Sequence, residues 1–147
     1  MAVPVRGKLI IDTNVFVSYM RAGLHEKWIE GRIEETSRFL SSVVLFELSV
    51  GAADQKRLRV VKKLVQSFPA NRIISPTHGI YRKAAGIFRE LFGNKSASWP
   101  QDRLGPVNDI LIAVTAFRMG ATVITENDID FSRIAGHLTG FRFSIPY

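Results

Sequence analysis

Leu9-Ile10-Ile11-Asp12-Thr13-Asn14-Val15-Phe16-Val17-Ser18-Tyr19-Met20 decides the fold of this chain. It starts within a short apolar run, Lys8 to Ile11, and finishes with an apolar segment, Val15 to Met20. Between them stand Asp12, Thr13 and Asn14, residue types that cap helices. The stretch predicts a strand that runs directly into a helix. The same pattern returns near the other end of the chain. There Asn108 is expected to cap an apolar helix, Ile110 to Met119, that Gly120 stops, and Ala121-Thr122-Val123-Ile124-Thr125 reads as a buried strand.

The segments between these two units repeat the alternation. From His25 to Arg38 most residues are charged, with Trp28, Ile29 and Ile33 as an apolar stripe, which predicts a surface helix or helical hairpin. Phe39-Leu40 is a short strand that leads through the cap pair Ser41-Ser42 into a helix, Val43 to Val50, stopped by Gly51. Gln55 to Phe68 places Leu58, Val61, Leu64, Val65 and Phe68 at helical spacing with Lys and Arg between them, and Pro69 closes it. Arg72-Ile73-Ile74-Ser75 is β-branched at its centre, and Thr77 then caps a helix with Ile80, Ala84, Ile87, Phe88 and Leu91 on one side, ended by Gly93. Ser96 to Val107, with Trp99, Pro100, Gly105 and Pro106, reads as a long loop. Glu126-Asn127-Asp128-Ile129-Asp130 reads as an acidic loop, followed by a helical turn to about Leu138 and a final edge strand within Phe141 to Tyr147. Strands alternating with helices imply an α/β domain whose mainly parallel sheet is covered on both faces.

One domain, residues 1–147, accommodates all of this, and 46% hydrophobic residues suffice for a single core. The absence of cysteine excludes disulfide frameworks and thiolate metal sites and fits a reducing compartment. The first residues lack the apolar core of a signal peptide, and the longest apolar stretch, around Ile110 to Phe117, is too short to span a bilayer, so the expectation is a soluble cytoplasmic protein with no membrane partner. Twenty Lys and Arg against 13 Asp and Glu give a formal charge of +7. Ten of the basic residues (Lys56, Arg57, Arg59, Lys62, Lys63, Arg72, Arg82, Lys83, Arg89, Lys95) fall between Gln55 and Lys95, with Glu90 as the one acid there. Such an arm attracts polyanions, nucleic acid above all, although a solvated helix face gives the same pattern.

The acids carry the chemistry. Asp12 ends one apolar strand, Asp128 or Asp130 follows another, Asp109 comes directly after the long loop, and Glu47 stands among Val43, Val44, Leu45, Phe46, Leu48 and Val50. Carboxyl ends of strands are where open α/β sheets gather ligands, and an acid in apolar surroundings needs a cation or a hydrogen-bond network. Each acid also has a plain reading: Asp12 and Asp109 as helix caps, Asp128 and Asp130 as loop acids, Glu47 as an outward-facing residue. An oxygen-only donor set suits Mg2+ or Mn2+ better than zinc, and His25, His78 and His137 form no ligand-spaced motif. The chain has no G-x-S-x-G elbow, no phosphate loop of the G-x-x-x-x-G-K-[ST] kind and no G-x-G-x-x-G fingerprint, which leaves metal-activated water as the simplest chemistry, and the basic arm suggests a phosphodiester as the bond it attacks.

Leu9-Ile10-Ile11-Asp12-Thr13-Asn14, Ser42 to Ala52 with Glu47-Leu48, Asn108-Asp109 through Ala116, Gly120-Ala121, and Thr125-Glu126-Asn127-Asp128-Ile129-Asp130-Phe131 together resemble the PIN-domain ribonucleases, and within them the VapC toxins of toxin–antitoxin pairs. The resemblance implies a three-layer α/β fold and an endonuclease site that holds Mg2+ or Mn2+ through Asp12, Glu47, Asp109 and a fourth acid. Asp130 matches that position best, with Asp128 a neighbouring rival. Thr13, Asn14, Thr125 and Asn127 would orient the acids or the substrate. RNA is the implied substrate, and a cognate antitoxin and a second copy of the chain are the implied partners. Glu126 departs from the pattern, since relatives often carry a basic residue there; it would weaken phosphate contact or add a metal ligand. An RNA-processing or decay nuclease without antitoxin, an inactive RNA-binding module and a phosphate-accepting signalling domain stand as alternatives. Apolar residues near Trp28 and Ile33, or Phe88 and Phe92, offer surfaces for dimerisation or an antitoxin, although most belong in a core.

Overall fold

The structure is a computed structural model, and it describes residues 4–93 and 104–147. Its elements follow in the order β1 (Gly7–Ile11), α1 (Thr13–Ala22), α2 (Glu26–Ile29), β2 (Thr36–Ser41), α3 (Ser42–Gly51), α4 (Gln55–Gln66), β3 (Ile73–Ile74), α5 (His78–Phe92), α6 (Leu104–Met119), β4 (Thr122–Ile124), α7 (Asp128–Ala135) and β5 (Arg142–Ser144). The five strands form one parallel sheet in the order β3-β2-β1-β4-β5. Ile10 pairs with Phe39 on one side and with Val123 on the other, so β1 is central. Right-handed crossovers put the helices that lead from β1 out to β3 on one face and those that lead back through β4 to β5 on the other. The contacts agree, because α1 and α4 pack on α3, whereas α5 and α7 pack on α6. This is the α/β architecture expected, with a sheet between two helical layers.

The core lies on both faces of β1 and β4. Leu9, Ile10, Val123 and Ile124 are fully buried, and Ile112, Ala113, Val114 and Ala116 of α6 close over them. Each fully buried Leu, Ile or Val contributes about 1.5–3 kcal/mol. The continuous apolar runs in these strands are what a sheet covered twice requires.

Three expectations from the sequence need correction. The segment His25 to Arg38 holds a single helical turn, Glu26–Ile29, and Thr36–Arg38 belongs to β2. Gly31 ends the turn: its N–H donates to the Glu26 carbonyl, and a Cβ on it would lie 2.5 Å from Lys27 Cα. Asn108 does not cap a helix either, because α6 begins at Leu104 and places Asn108 and Asp109 in its second turn. Pro106 sits in the first turn, where its missing N–H has no helical partner to lose, so the Gly-Pro pair that reads as loop is compatible with helix. Residues 96–103 of the expected loop lie outside the described residues. Asp128 and Asp130, read as loop acids, occupy the first turn of α7, whose N-cap is Asn127. In addition, Leu58 of the expected α4 stripe is exposed, while Val61 of that stripe is buried.

Candidate active site

The order of strands reverses between β1 and β4, since the chain leaves β1 outward to β2 and returns to β4 on the opposite side. At such a switch point the diverging connections leave a crevice at the carboxyl ends of the strands. Asp12 directly follows β1, and Thr125 directly follows β4. The Asp12 backbone N–H still donates to the Ile124 carbonyl at 2.8 Å, which ties the two strand ends together.

Asp12 is 3% exposed, and Thr125 is fully buried. Asp12 is at once the N-cap of α1 and a member of the acid cluster: its Oδ1 accepts from the Thr13 N–H at 2.8 Å. Its Oδ2 accepts from the Thr125 hydroxyl at 2.7 Å and from Asn14 Nδ2 at 3.2 Å. Glu47, on α3, accepts from the Thr13 hydroxyl at 2.8 Å. Thr13 therefore links the first two acids. Asn127 links the other two, since its Nδ2 donates to Asp130 at 2.9 Å and to Asp109 at 3.5 Å. Its backbone N–H donates to Thr125 Oγ1 at 3.0 Å, which joins both halves of the network.

The electrostatics record the crowding. Burial, aided by the charge of Glu47, pushes the Asp12 carboxyl up from 3.8 to about 6 against the three hydrogen bonds that favour its ionised form. Burial also pushes Asp109 up, from 3.8 to about 8, and the charges of Asp12, Glu47 and Asp130 add to it. Four acids from four separate segments therefore sense one another, as clustered like charges must. Asp128 stands apart: its carboxylate is exposed and accepts from Ser132 on its own helix.

The donors are carboxylate, amide and hydroxyl oxygens, which suits a hard divalent cation, and a cation would relieve the repulsion that raises Asp12 and Asp109. Among the described residues, no three His, Cys, Asp or Glu side chains are gathered as a ready-made metal cage. Mg2+ seldom uses one, because it keeps several waters and takes one or two carboxylates directly. The residues present fit a hydrated ion of that kind.

Glu126, Ser18 and His25 meet at the edge of the cluster. Both Glu126 carboxylate oxygens accept from the Ser18 hydroxyl, at 3.0 and 2.8 Å, and Oε2 also accepts from His25 Nε2 at 2.7 Å. The sequence pattern marks neither Ser18 nor His25 for a role in the site. The signal for Ser18 was its place one helical turn after Asn14 on α1; His25 had none. Trp28 and Phe88 are buried, which makes them core residues. A groove of about 610 Å³ opens elsewhere, with Phe16, Met20, Ile33 and Leu64 among its walls and Arg32, Arg38, Lys63 and Arg72 against the single acid Glu30. None of the clustered acids lines it.

Solved structures with a similar fold include the following three. VapBC2 from Rickettsia felis bound to a promoter DNA fragment aligns with a TM-score of 0.64 at 22% identity, over 94% of this chain and 98% of that one. VapBC-1 from nontypeable Haemophilus influenzae gives 0.65 at 19% identity, over 94% and 97%. A toxin–antitoxin complex from Klebsiella pneumoniae gives 0.65 at 19% identity, over 95% and 98%. No curated protein sequence matches the chain. The family profile described as PIN domain matches residues 9–137, which contain all four clustered acids, and the chain belongs to the PIN-domain family.

Proposed function

We propose that this chain is a divalent-metal-dependent endoribonuclease, acting in the cytoplasm as the toxin of a toxin–antitoxin pair. PIN domains are generally nucleases. The observation that carries the reading is the convergence of Asp12, Glu47, Asp109 and Asp130 at the switch point, with Asp109 held up at about 8 by burial and by the other three. Asp12, Glu47, Asp109 and Asp130 would hold Mg2+ or Mn2+, directly or through water. When bound, such an ion supplies a water acidic enough to attack at neutral pH and positive charge for the phosphodiester oxygens.

The chain's own residues do the rest. Thr13 fixes the Glu47 carboxylate, Thr125 and Asn14 fix that of Asp12, and Asn127 spans Asp109 and Asp130, so the acids face the crevice in set orientations. Exposed Lys56, Arg57, Arg59 and Lys62 on α4 offer the phosphate backbone a basic face. Antitoxin pairing is supported by the likeness to toxin–antitoxin complexes, and the groove beside α2, with its apolar walls and basic rim, suits an amphipathic segment bearing acids. Exposed Phe46 and Val50 on α3 are the apolar surface that a homodimer would cover.

The test is cleavage of single-stranded RNA with Mg2+, with Mn2+ and with chelator, by the wild type and by Asp12→Asn. Cleavage that needs the metal and vanishes in Asp12→Asn supports the reading. Metal-independent cleavage, or full activity in the variant, overturns it. An RNA-binding module without activity would bind RNA and leave it intact.

A further inference from the structure

We propose that Glu126 is a positioning residue: clamped by Ser18 and His25, it sets the segment that carries Asn127 and thereby the distance between Asp109 and Asp130. A free carboxylate beside a site for an anionic polymer would repel its substrate, but the Glu126 carboxylate, with its side chain 35% exposed, has partners on both oxygens. It takes the Ser18 hydroxyl on both oxygens and His25 Nε2 on one, from α1 and from the turn that opens α2. A carboxylate only accepts, so Nε2 carries the proton in that 2.7 Å contact. His25 stands at the N-cap of α2 in the left-handed conformation, φ 61°, and its side chain bonds none of that helix's N–H groups. The ring serves Glu126 instead of its own helix, and an outlier of this sort argues for a role outside local structure.

The link from the clamp to the acids is one residue long. The Glu126 N–H donates to Asn14 Oδ1 at 3.1 Å, and Asn14 Nδ2 donates to Asp12 and to Thr125. Asn127 follows immediately, with its N–H on Thr125 and its amide across Asp130 and Asp109. The bond to Asp109, at 3.5 Å, is the longest of the series and the first to break if the segment shifts. An acid at this position is therefore compatible with an anionic substrate, because its charge is directed at α1 and α2 and holds the site together.

The kinetic part of the test rests on the nuclease reading; the spectroscopic part does not. The side-chain amide signals of Asn127, assigned with Asn127→Ser, are followed by NMR in metal-free wild type, Glu126→Ala, Glu126→Gln, His25→Ala and the double Ala variant. Glu126→Ala is expected to move these signals, His25→Ala to move them the same way, the double variant to add nothing, and Glu126→Gln, which still accepts from Ser18, to stay near wild type. With RNA and Mg2+, Glu126→Ala should lower kcat about ten-fold with KM unchanged, as a small displacement of reacting groups does. Should Glu126→Ala fail to fold, Ser18→Ala is read by the same signals. Unmoved Asn127 signals overturn the proposal, as does an unchanged kcat with a lowered KM for RNA, the mark of simple repulsion. If the wild type cuts no RNA, the nuclease reading falls and the Asn127 signals alone decide.

Discussion

Replacing Asp109 by Asn should stabilise the metal-free protein at neutral pH while destroying its response to metal. The folded chain holds the Asp109 proton to about pH 8, whereas an unfolded Asp releases it near 3.8. The carboxyl's contribution to stability is therefore full below pH 4 and is lost as the pH climbs from 4 to 8. At about 1.4 kcal/mol per pH unit, keeping that proton at pH 7 costs at most about 4 kcal/mol. Asp109 is only partly buried and shares the repulsion with Asp12, so about 2 kcal/mol is the expected part. In Asp109→Asn that cost disappears, and the Asn oxygen still accepts from Asn127. For a chain of this size about 2 kcal/mol raises Tm by about 4–8 °C. Thermal unfolding from pH 4 to 8, with chelator and with excess Mg2+, is the assay. The two proteins should coincide near pH 4 and separate as the pH rises. Mg2+ at 100 times its Kd should then stabilise only the wild type, by about 2.7 kcal/mol. A variant no more stable than wild type at pH 7, or one equally stabilised by Mg2+, would refute the clustered-acid account.

Further outcomes follow from the same geometry. Thr125→Val removes the buried hydroxyl that donates to Asp12 and accepts from the Asn127 N–H, and chemical denaturation should show a loss of about 1–3 kcal/mol. Thr13→Val, which releases Glu47 from its 2.8 Å partner, should cut RNA cleavage while Tm changes little, as kinetics and melting measured side by side would show. Replacing Lys56 and Lys62 on α4 with Ala should weaken RNA binding without touching kcat and reduce the salt dependence by about one counterion for each lysine removed, as read from binding at several salt concentrations. Ile112→Ala, fully buried on α6, should cost about 2–5 kcal/mol in denaturant melts and leave the metal dependence of any surviving activity intact.

Elements whose signal is local can be read from the chain of residues alone. Lys8 to Ile11 and Ala121 to Thr125 are apolar runs bounded by caps, which is enough to mark strands, and Ile80, Ala84, Ile87 and Phe88 share a helical face whatever lies around them. Asp12 and Glu47 are legible in the same way, because a carboxylate at the end of an apolar strand, or alone in an apolar helix, stands out from its neighbours. Elements shaped by distant partners are misread. Thr36 to Arg38 is charged and polar, and becomes strand because β1 offers it a hydrogen-bonding edge. Gly105-Pro106 reads as a break, and tolerates helix because a first-turn Pro gives up no bond. Which acids meet is a matter of three-dimensional packing. Asp128 and Asp130 lie two residues apart in sequence, yet the pitch of α7 sends one to Ser132 and the other to Asn127 and the cluster. The clamp of Ser18, His25 and Glu126 is likewise invisible in one dimension, since more than a hundred residues separate its ends. Local patterns record what each segment prefers alone. Where charges converge depends on the order of strands, which no single segment contains.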